Sequence, residues 1–162
     1  MEQNPYAPPK ATVADVDTAS ATAPGFPVPG GLYTSGQHFV ASFIGSPVAA
    51  ALIAASNYRK LGRDRDARNV IVWGLVATAV LLGIAFVLPD GFPNSVLPLA
   101  YSFGARALAH TVFGDAVSAN RAAGGKSGSW WRLVGMSVLA LVVLGAMIFG
   151  AAFAFSYLGI TE

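Results

Sequence analysis

The sequence predicts an all-α membrane protein in which four transmembrane helices form a small bundle, preceded by a disordered Pro/Gly-rich tail. Hydrophobic residues make up 54% of the 162 residues and charged residues 11%, whereas soluble domains carry about 25% charged residues. Four long apolar runs hold few charges, and the basic residues gather between the runs. This composition excludes an ordinary soluble enzyme. The absence of cysteine excludes a disulfide-rich domain and a cysteine-based zinc module.

Residues 1–37 are expected to form a disordered tail, and residues 38–162 a transmembrane domain. The tail holds six of the ten prolines together with four glycines, and no apolar periodicity runs through it. Such composition is typical of an extended segment without a packed core. The first residues lack the basic region and apolar stretch of a signal peptide. Insertion is therefore expected to depend on the first apolar run.

The four predicted spans lie at about 39–56, 70–88, 96–114 and 133–158. About 20 helical residues cross about 30 Å of hydrocarbon, so each run is close to the required length or exceeds it. The third run is the weakest because it contains Arg106 and His110. An arginine at a helix centre costs about 2.5–3.5 kcal/mol on insertion. That helix is expected to span only with neighbours packed against it.

Loop charge predicts the orientation of these spans. Connection 57–69 carries five basic residues and connection 115–132 carries three, whereas the residues after the second and fourth runs carry none. Basic loops stay in the cytoplasm. Both basic connections are therefore expected on the cytoplasmic side, with the N-terminus and the C-terminus outside. Four spans satisfy this arrangement, whereas omitting the third would place the two basic connections on opposite sides.

Small residues predict where the helices pack. Gly45 and Ala49 lie four residues apart in the first run, and Gly83 and Gly150 lie in the second and fourth runs. Small side chains let helix backbones approach closely within a membrane. Such contacts would serve the bundle itself, a homo-oligomer or a membrane-protein partner. Pro47 is expected to kink the first helix because proline lacks the N–H of a helical hydrogen bond.

The sequence offers no catalytic, cofactor-binding or metal-binding constellation. No Asp or Glu lies inside an apolar run, there is no Cys, and the two His residues are far apart, His38 at the start of the first run and His110 in the third. Neither a metal-ligand spacing nor a nucleophilic triad arises from these residues. The stretch 124–127 resembles the end of a phosphate-binding loop, but Asn120 stands where such a loop needs glycine. We therefore expect no cofactor, no nucleic-acid partner and no enzyme activity.

Arg106 and His110 are the strongest candidates for a functional contact. They lie four residues apart and therefore on one face of the third helix. One interpretation is structural, in which the arginine snorkels towards the interface and pairs with backbone carbonyls. The other interpretation is an anion or anionic-lipid contact. Basic residues of the cytoplasmic face would contribute to that contact, namely Arg59, Lys60 and Arg132.

Two classes of function follow from these features. The first is a non-enzymatic accessory, scaffold or interaction protein of the inner membrane. The second is a small transport or anionic-lipid-handling protein that uses the Arg106 and His110 face of the third span. The second and fourth spans offer few polar side chains to a water-filled path. That scarcity favours the first class.

The segment Asn4-Pro5-Tyr6-Ala7-Pro8-Pro9 resembles the tails of a group of small, uncharacterised bacterial multi-pass inner-membrane proteins. Segments 45–62 and 121–131 are similar to the same group. The resemblance implies a bacterial inner-membrane location and carries no assigned activity or site. It also implies a cytoplasmic tail, whereas the loop charges place the tail outside. We follow the charges in this prediction.

Overall fold

The computed structural model describes residues 27–89, 91–93 and 95–157. Over these residues the chain is helical and has no named strand. The four helices are α1 (Ser35–Lys60), α2 (Asp64–Val87), α3 (Val96–Ala122) and α4 (Trp130–Tyr157). By residue count and composition alone, three helical segments are long and apolar enough to cross a membrane, namely Ser35–Lys60, Asp64–Ala85 and Trp130–Ala154. Helix α3 is not among them, as expected for the run that contains Arg106.

Helix α1 is a hairpin of two helical arms rather than one straight helix. In its middle, Gly45 (φ −113°, ψ 15°) and Ser46 (φ 74°, ψ 175°) leave the helical conformation. Pro47 follows them and lacks the N–H that would continue the hydrogen-bond ladder. The first arm comprises residues 35–44 and the second arm residues 47–60. We refer to this unit as the α1 hairpin.

A hydrogen bond across the arms demonstrates the reversal. The backbone N–H of Tyr33 donates to Oδ1 of Asn57 at 2.8 Å, although 24 residues separate them. A straight helix would hold these residues about 36 Å apart. The arms measure about 15 and 21 Å at about 1.5 Å per residue, which is less than a hydrocarbon core of about 30 Å. Residues 39–56 therefore do not form the crossing helix, kinked at Pro47, that the sequence predicts, because the chain reverses at this point.

The α1 hairpin occupies the centre of the bundle. Helices α2, α3 and α4 each pack against it, and within the described residues they make little contact with one another. One core cluster joins the hairpin to α4 and contains Ala41, Val48, Ala49, Ile53, Leu133 and Ala140. A second cluster joins it to α3 through Ala54, Ala109 and Phe113. The outward faces of α2 and α4 expose many large apolar side chains, which suits contact with lipid.

The two ends of the bundle differ in charge. At one end, which we name the basic end, residues 27–34 meet the connections 60–64 and 123–129. Helices α2 and α4 begin at this end and α3 ends there. Apart from Arg106, every Lys and Arg among the described residues lies in or next to these connections. The connection 88–95 at the opposite end contains no basic residue.

The segment before α1 is packed, which corrects the last part of the predicted disordered tail 1–37. Leu32 and Tyr33 are each 1% exposed, and Leu32 pairs with Ser127 in an isolated parallel bridge. The N–H of Val28 donates to Oδ1 of Asn120 at 2.7 Å. Side chains of the helices thus bind a backbone whose composition alone suggested disorder. Residues 1–26 of the predicted tail lie outside the described residues.

The residues predicted to mediate helix packing fall into two pairs. Gly45 and Ala49 are buried in the α1 hairpin. A Cβ on Gly45 would stand 2.8 Å from the carbonyl oxygen of Ser137 in α4, so this approach requires glycine. Gly83 and Gly150 are exposed, and a Cβ at either would meet no described atom within 4 Å. For the second pair, a role in contacting another chain stays a prediction.

Candidate functional site

A groove of about 320 Å³ lies at the basic end, between the start of α1 and the last turns of α3. We name it the basic-end groove. Its α1 wall consists of Thr34, Ser35 and Gly36. Its α3 wall consists of Ala109, His110, Phe113, Gly114, Val117, Ser118 and Arg121. These α3 residues recur every three or four positions, and they therefore share one face of the helix.

The start of α1 supplies backbone donors to the groove. The N–H of Gln37 donates to Oγ1 of Thr34 at 3.3 Å, and the N–H of Thr34 donates to Oε1 of Gln37 at 3.0 Å. The first N–H groups of any helix lack partners within it. This capping box pairs that of Gln37, whereas those of Ser35 and Gly36 have no partner in the described chain. Such free donors at the positive end of a helix favour an anionic ligand.

Helix α3 supplies cationic and titratable side chains to the same space. Arg121 and His110 line the groove. Arg106 lies on the same helix face, four residues before His110, and its side chain is exposed. It lies about 10 Å further from the basic end than Phe113, at about 1.5 Å per residue. Arg106 is not among the residues that line the groove, so its part in an anion contact stays a prediction.

Phe113, which lines the groove, packs against two further aromatic rings. The ring of Phe113 stacks on His38 with 5.7 Å between centroids. It also meets Tyr58 edge-on at 4.8 Å. Nδ1 of His38 lies 2.9 Å from the carbonyl oxygen of Thr34, which fixes the imidazole beneath the start of α1. These contacts join both arms of the α1 hairpin to α3 and hold the two walls of the groove at a fixed separation.

The other residues predicted to contact an anion lie elsewhere. Arg59 and Arg132 are exposed at the basic end but do not line the groove. Lys60 faces inward, and its Nζ donates to the carbonyl oxygens of Gly30 and Gly31. The charge of Lys60 is therefore already engaged within the chain.

Three buried amide side chains, which the sequence did not single out, hold the basic end together. Asn57 is 0% exposed and binds both backbone polar groups of Tyr33. Nε2 of Gln37 donates to the carbonyl oxygen of Gly128 at 2.8 Å. Asn120, which is 3% exposed, binds the segment before α1. The available signal was the position of Gln37 and Asn57 at the boundaries of the first apolar run, whereas Asn120 lies within the connection 115–132 and carried no such signal.

Tyr33 lies between the start of α1 and the connection to α4. Burial raises the pKa of its phenol above the usual 10.0, and the nearby charge of Arg132 acts in the opposite direction. Nζ of Lys60 lies 4.9 Å from the centroid of its ring, a distance at which a cation is attracted to an aromatic face. A phenol and a cation thus pack together between α1 and the connection to α4.

No protein-family model, no curated protein and no solved structure matches this chain. Within the residues that the structure describes, no three His, Asp or Glu side chains are grouped as a metal site requires. The proposed function therefore rests on the groove and on the arrangement of the helices.

Proposed function

We propose that the chain is a non-enzymatic accessory protein of a bacterial cytoplasmic membrane that binds an anionic lipid headgroup in the basic-end groove. One observation carries this proposal. The groove combines the free N–H groups of Ser35 and Gly36 with the side chains of His110 and Arg121. A phosphate oxygen accepts hydrogen bonds from donors of these kinds. The groove lies at the end of an apolar bundle, which is the depth of lipid headgroups.

In the proposed topology, α2, α3 and α4 cross the membrane, and the α1 hairpin enters and leaves on the cytoplasmic side. The crossing helices contain 24, 27 and 28 residues, respectively, enough for about 30 Å of hydrocarbon. Helix α3 joins the far end of α2 to the basic end. Its packing against the hairpin offsets the insertion cost of Arg106.

The distribution of charge supports the cytoplasmic placement of the basic end. Cytoplasmic segments next to membrane spans carry an excess of Lys and Arg. Residues 27–34 pack at this same end, so the N-terminal tail is cytoplasmic in this proposal and the end of α4 is external. This replaces the expectation of an external tail. Trp130 and Trp131, at the start of α4, are exposed at the level where aromatic residues contact headgroups.

Cysteine labelling tests the topology directly, because the natural chain has no cysteine. We suggest single substitutions Pro29→Cys, Ser129→Cys and Gly91→Cys at exposed positions, probed in intact cells and in inverted vesicles with a membrane-impermeant maleimide. Positions 29 and 129 are expected to react from the cytoplasmic side and position 91 from the outside. Reaction of position 29 from the same side as position 91 would refute the hairpin arrangement.

Native mass spectrometry tests the lipid site. The wild type is expected to retain phosphatidylglycerol or cardiolipin in preference to phosphatidylethanolamine. A basic residue near anionic lipid contributes about 1 kcal/mol, so Arg121→Ala is expected to weaken retention about 5-fold. His110→Ala removes a second donor and is expected to weaken it further when combined with Arg121→Ala. Arg106→Ala tests whether the arginine deeper in α3 also contributes to lipid retention.

The matched control for the lipid experiment is Arg68→Ala. Arg68 is an exposed arginine of α2 near the basic end that does not line the groove. Its loss removes the same charge as Arg121→Ala and is expected to leave lipid retention close to wild type. Equal retention by the wild type and the double variant would exclude the proposed site. An equal loss for Arg68→Ala would show that net charge, rather than the groove, attracts the lipid.

A further inference from the structure

A second cavity, of about 480 Å³, lies in the half of the bundle away from the basic end. The α1 hairpin ends at its tip, Ser46 and Pro47, whereas α2, α3 and α4 continue beyond it. No described helix therefore fills the centre of that half. The tip forms the floor of the cavity, and its walls come from α2, α3, the connection between them and Leu144 of α4. We name this space the tip cavity.

The lining of the tip cavity is chiefly apolar. Its large apolar side chains include Leu81, Leu82, Phe92, Leu97 and Leu144. Three hydroxyl side chains interrupt them, those of Ser46, Thr78 and Tyr101, and among the described residues the lining contains no charged side chain. This size and composition are typical of sites for small apolar ligands with few polar anchors. An ion would lose its hydration there without meeting an opposite charge on any described lining residue.

Ser46 is the polar anchor that the tip cavity offers. The residue is 7% exposed, and its Oγ has no hydrogen-bond partner among the described residues. Its backbone combines φ 74° with ψ 175°, a conformation that costs a residue other than glycine about 1–3 kcal/mol. The hydroxyl of Thr78, by contrast, already donates to the carbonyl oxygen of Gly74 at 2.9 Å. A strained serine with a free hydroxyl on a cavity floor indicates a ligand that accepts its hydrogen bond.

The tip cavity is accessible from the lipid phase. Helices α2, α3 and α4 pack on the α1 hairpin but make little contact with one another in the described chain. Beyond the tip, the spaces between them lack the hairpin that separates them elsewhere. In the topology proposed above, these spaces open to the bilayer, and an apolar molecule enters through them without crossing water.

We propose that the tip cavity binds an uncharged amphiphile of the bilayer whose carbonyl oxygen accepts a hydrogen bond from the hydroxyl of Ser46. Its apolar body contacts the leucines of α2, α3 and α4. Both a quinone and an acylglycerol present this chemistry. The inference goes beyond headgroup binding and uses a different part of the molecule. It rests on the proposed placement in the bilayer and does not require the basic-end groove to bind lipid.

Photolabelling in phosphatidylcholine vesicles tests the proposal with two uncharged probes, a photoreactive short-tailed benzoquinone and a photoreactive monoacylglycerol. Saturable labelling of residues 78–101 by at least one probe is expected. Ser46→Gly removes the hydroxyl and relieves the backbone strain, so its effect cannot be attributed to misfolding. It is expected to raise the half-saturating concentration about 3- to 10-fold, the effect of one lost hydrogen bond.

Two tryptophan substitutions on α2 provide a matched comparison. Ala85 lines the tip cavity, and Ala85→Trp is expected to abolish saturable labelling by filling it. Ala77 is exposed and does not line the cavity, so Ala77→Trp is expected to label as the wild type does. Saturable labelling by the benzoquinone probe alone indicates a quinone ligand, and saturable labelling by the monoacylglycerol probe alone indicates an acylglycerol.

Three results would overturn the proposal. They are non-saturable labelling by both probes, equal affinities for the wild type and Ser46→Gly, or equal saturable labelling by a fatty-acid probe in its ionised form. The groove variant with His110→Ala and Arg121→Ala is expected to label normally. Failure of the headgroup site and failure of the tip cavity are therefore distinguishable.

Discussion

Replacing Asn57 with alanine is expected to open the basic end and to weaken the α1 hairpin. The amide of Asn57 accepts from the N–H of Tyr33 at 2.8 Å and donates to its carbonyl oxygen at 2.9 Å. Asn57 is 0% exposed and Tyr33 is 1% exposed. In the variant, both backbone groups of Tyr33 lose their partners while they remain buried. The substitution therefore tests the contact that closes the hairpin.

The magnitude follows from the two unpaired groups. A buried backbone donor or acceptor without a partner costs about 1–3 kcal/mol, which gives about 2–6 kcal/mol for the pair. Because water enters the opened basic end and hydrates part of the backbone, we expect a loss of about 2–3 kcal/mol in the free energy of unfolding. Asn69→Ala is the matched control, since Asn69 is exposed near the same end. Surface substitutions usually change stability by at most about 0.5 kcal/mol.

The assay is reversible unfolding in mixed micelles, in which circular dichroism follows the helix content as the fraction of dodecyl sulfate rises. In the Asn57→Ala background, a cysteine at position 29 is also expected to react faster, because the segment before α1 is released. A loss of stability below about 1 kcal/mol, equal to that of Asn69→Ala, would refute the reasoning. It would show that Tyr33 and Asn57 are not packed together and that the hairpin is not closed.

Three further outcomes are expected. Gly45→Ala places a Cβ 2.8 Å from the carbonyl oxygen of Ser137 and is expected to lower the free energy of unfolding by about 1–3 kcal/mol. Gly83→Ala, at an open position, is expected to be neutral or slightly stabilising in the same assay. Ser46→Gly is expected to raise the free energy of unfolding by about 1 kcal/mol or more, because glycine adopts φ 74° without strain; a less stable variant would contradict this. The pKa of Tyr33 is raised above the usual 10.0, so the protonated phenol stabilises the fold below pH 10.0. This contribution is lost as the pH rises from 10.0 through the pKa of the folded state. The unfolding midpoint is therefore expected to fall above that pH in the wild type and less in Tyr33→Phe, and identical pH profiles would argue against it.

The helices were predictable because continuous hydrophobicity marks their apolar parts. The predicted runs 70–88 and 133–158 coincide with the apolar parts of α2 and α4. Helix α3 begins at Val96, as the sequence predicts, but continues to Ala122, eight residues beyond the predicted end at 114. Its polar last turns are stabilised by contacts such as that between Asn120 and Val28. Such contacts depend on the fold and leave no periodic pattern in the sequence.

The reversal of α1 could be predicted only in part. Pro47 indicated an interruption of the helix, and the interruption occurs at Gly45 and Ser46. A kink and a reversal have the same local sequence, however, and distant contacts decide between them. Tyr33 binds Asn57 across 24 residues, and Gln37 binds Gly128 across 91. Hydrophobic periodicity describes single segments and carries no information about contacts of this kind.

The α1 hairpin also changes the count of crossings on which orientation depends. With four straight spans, the two basic connections share one side and the N-terminal tail lies on the other. With three crossings and the hairpin, both connections still share the cytoplasmic side, and the tail joins them. The charges of the loops alone are consistent with three crossings and with four. The hairpin additionally explains why Lys60 binds the carbonyl oxygens of Gly30 and Gly31, which four straight spans would hold a membrane thickness away. In the proposed topology the tail lies on the cytoplasmic side, which is the side that its resemblance to other proline-rich tails implies, so two expectations that conflict under four spans agree under three crossings.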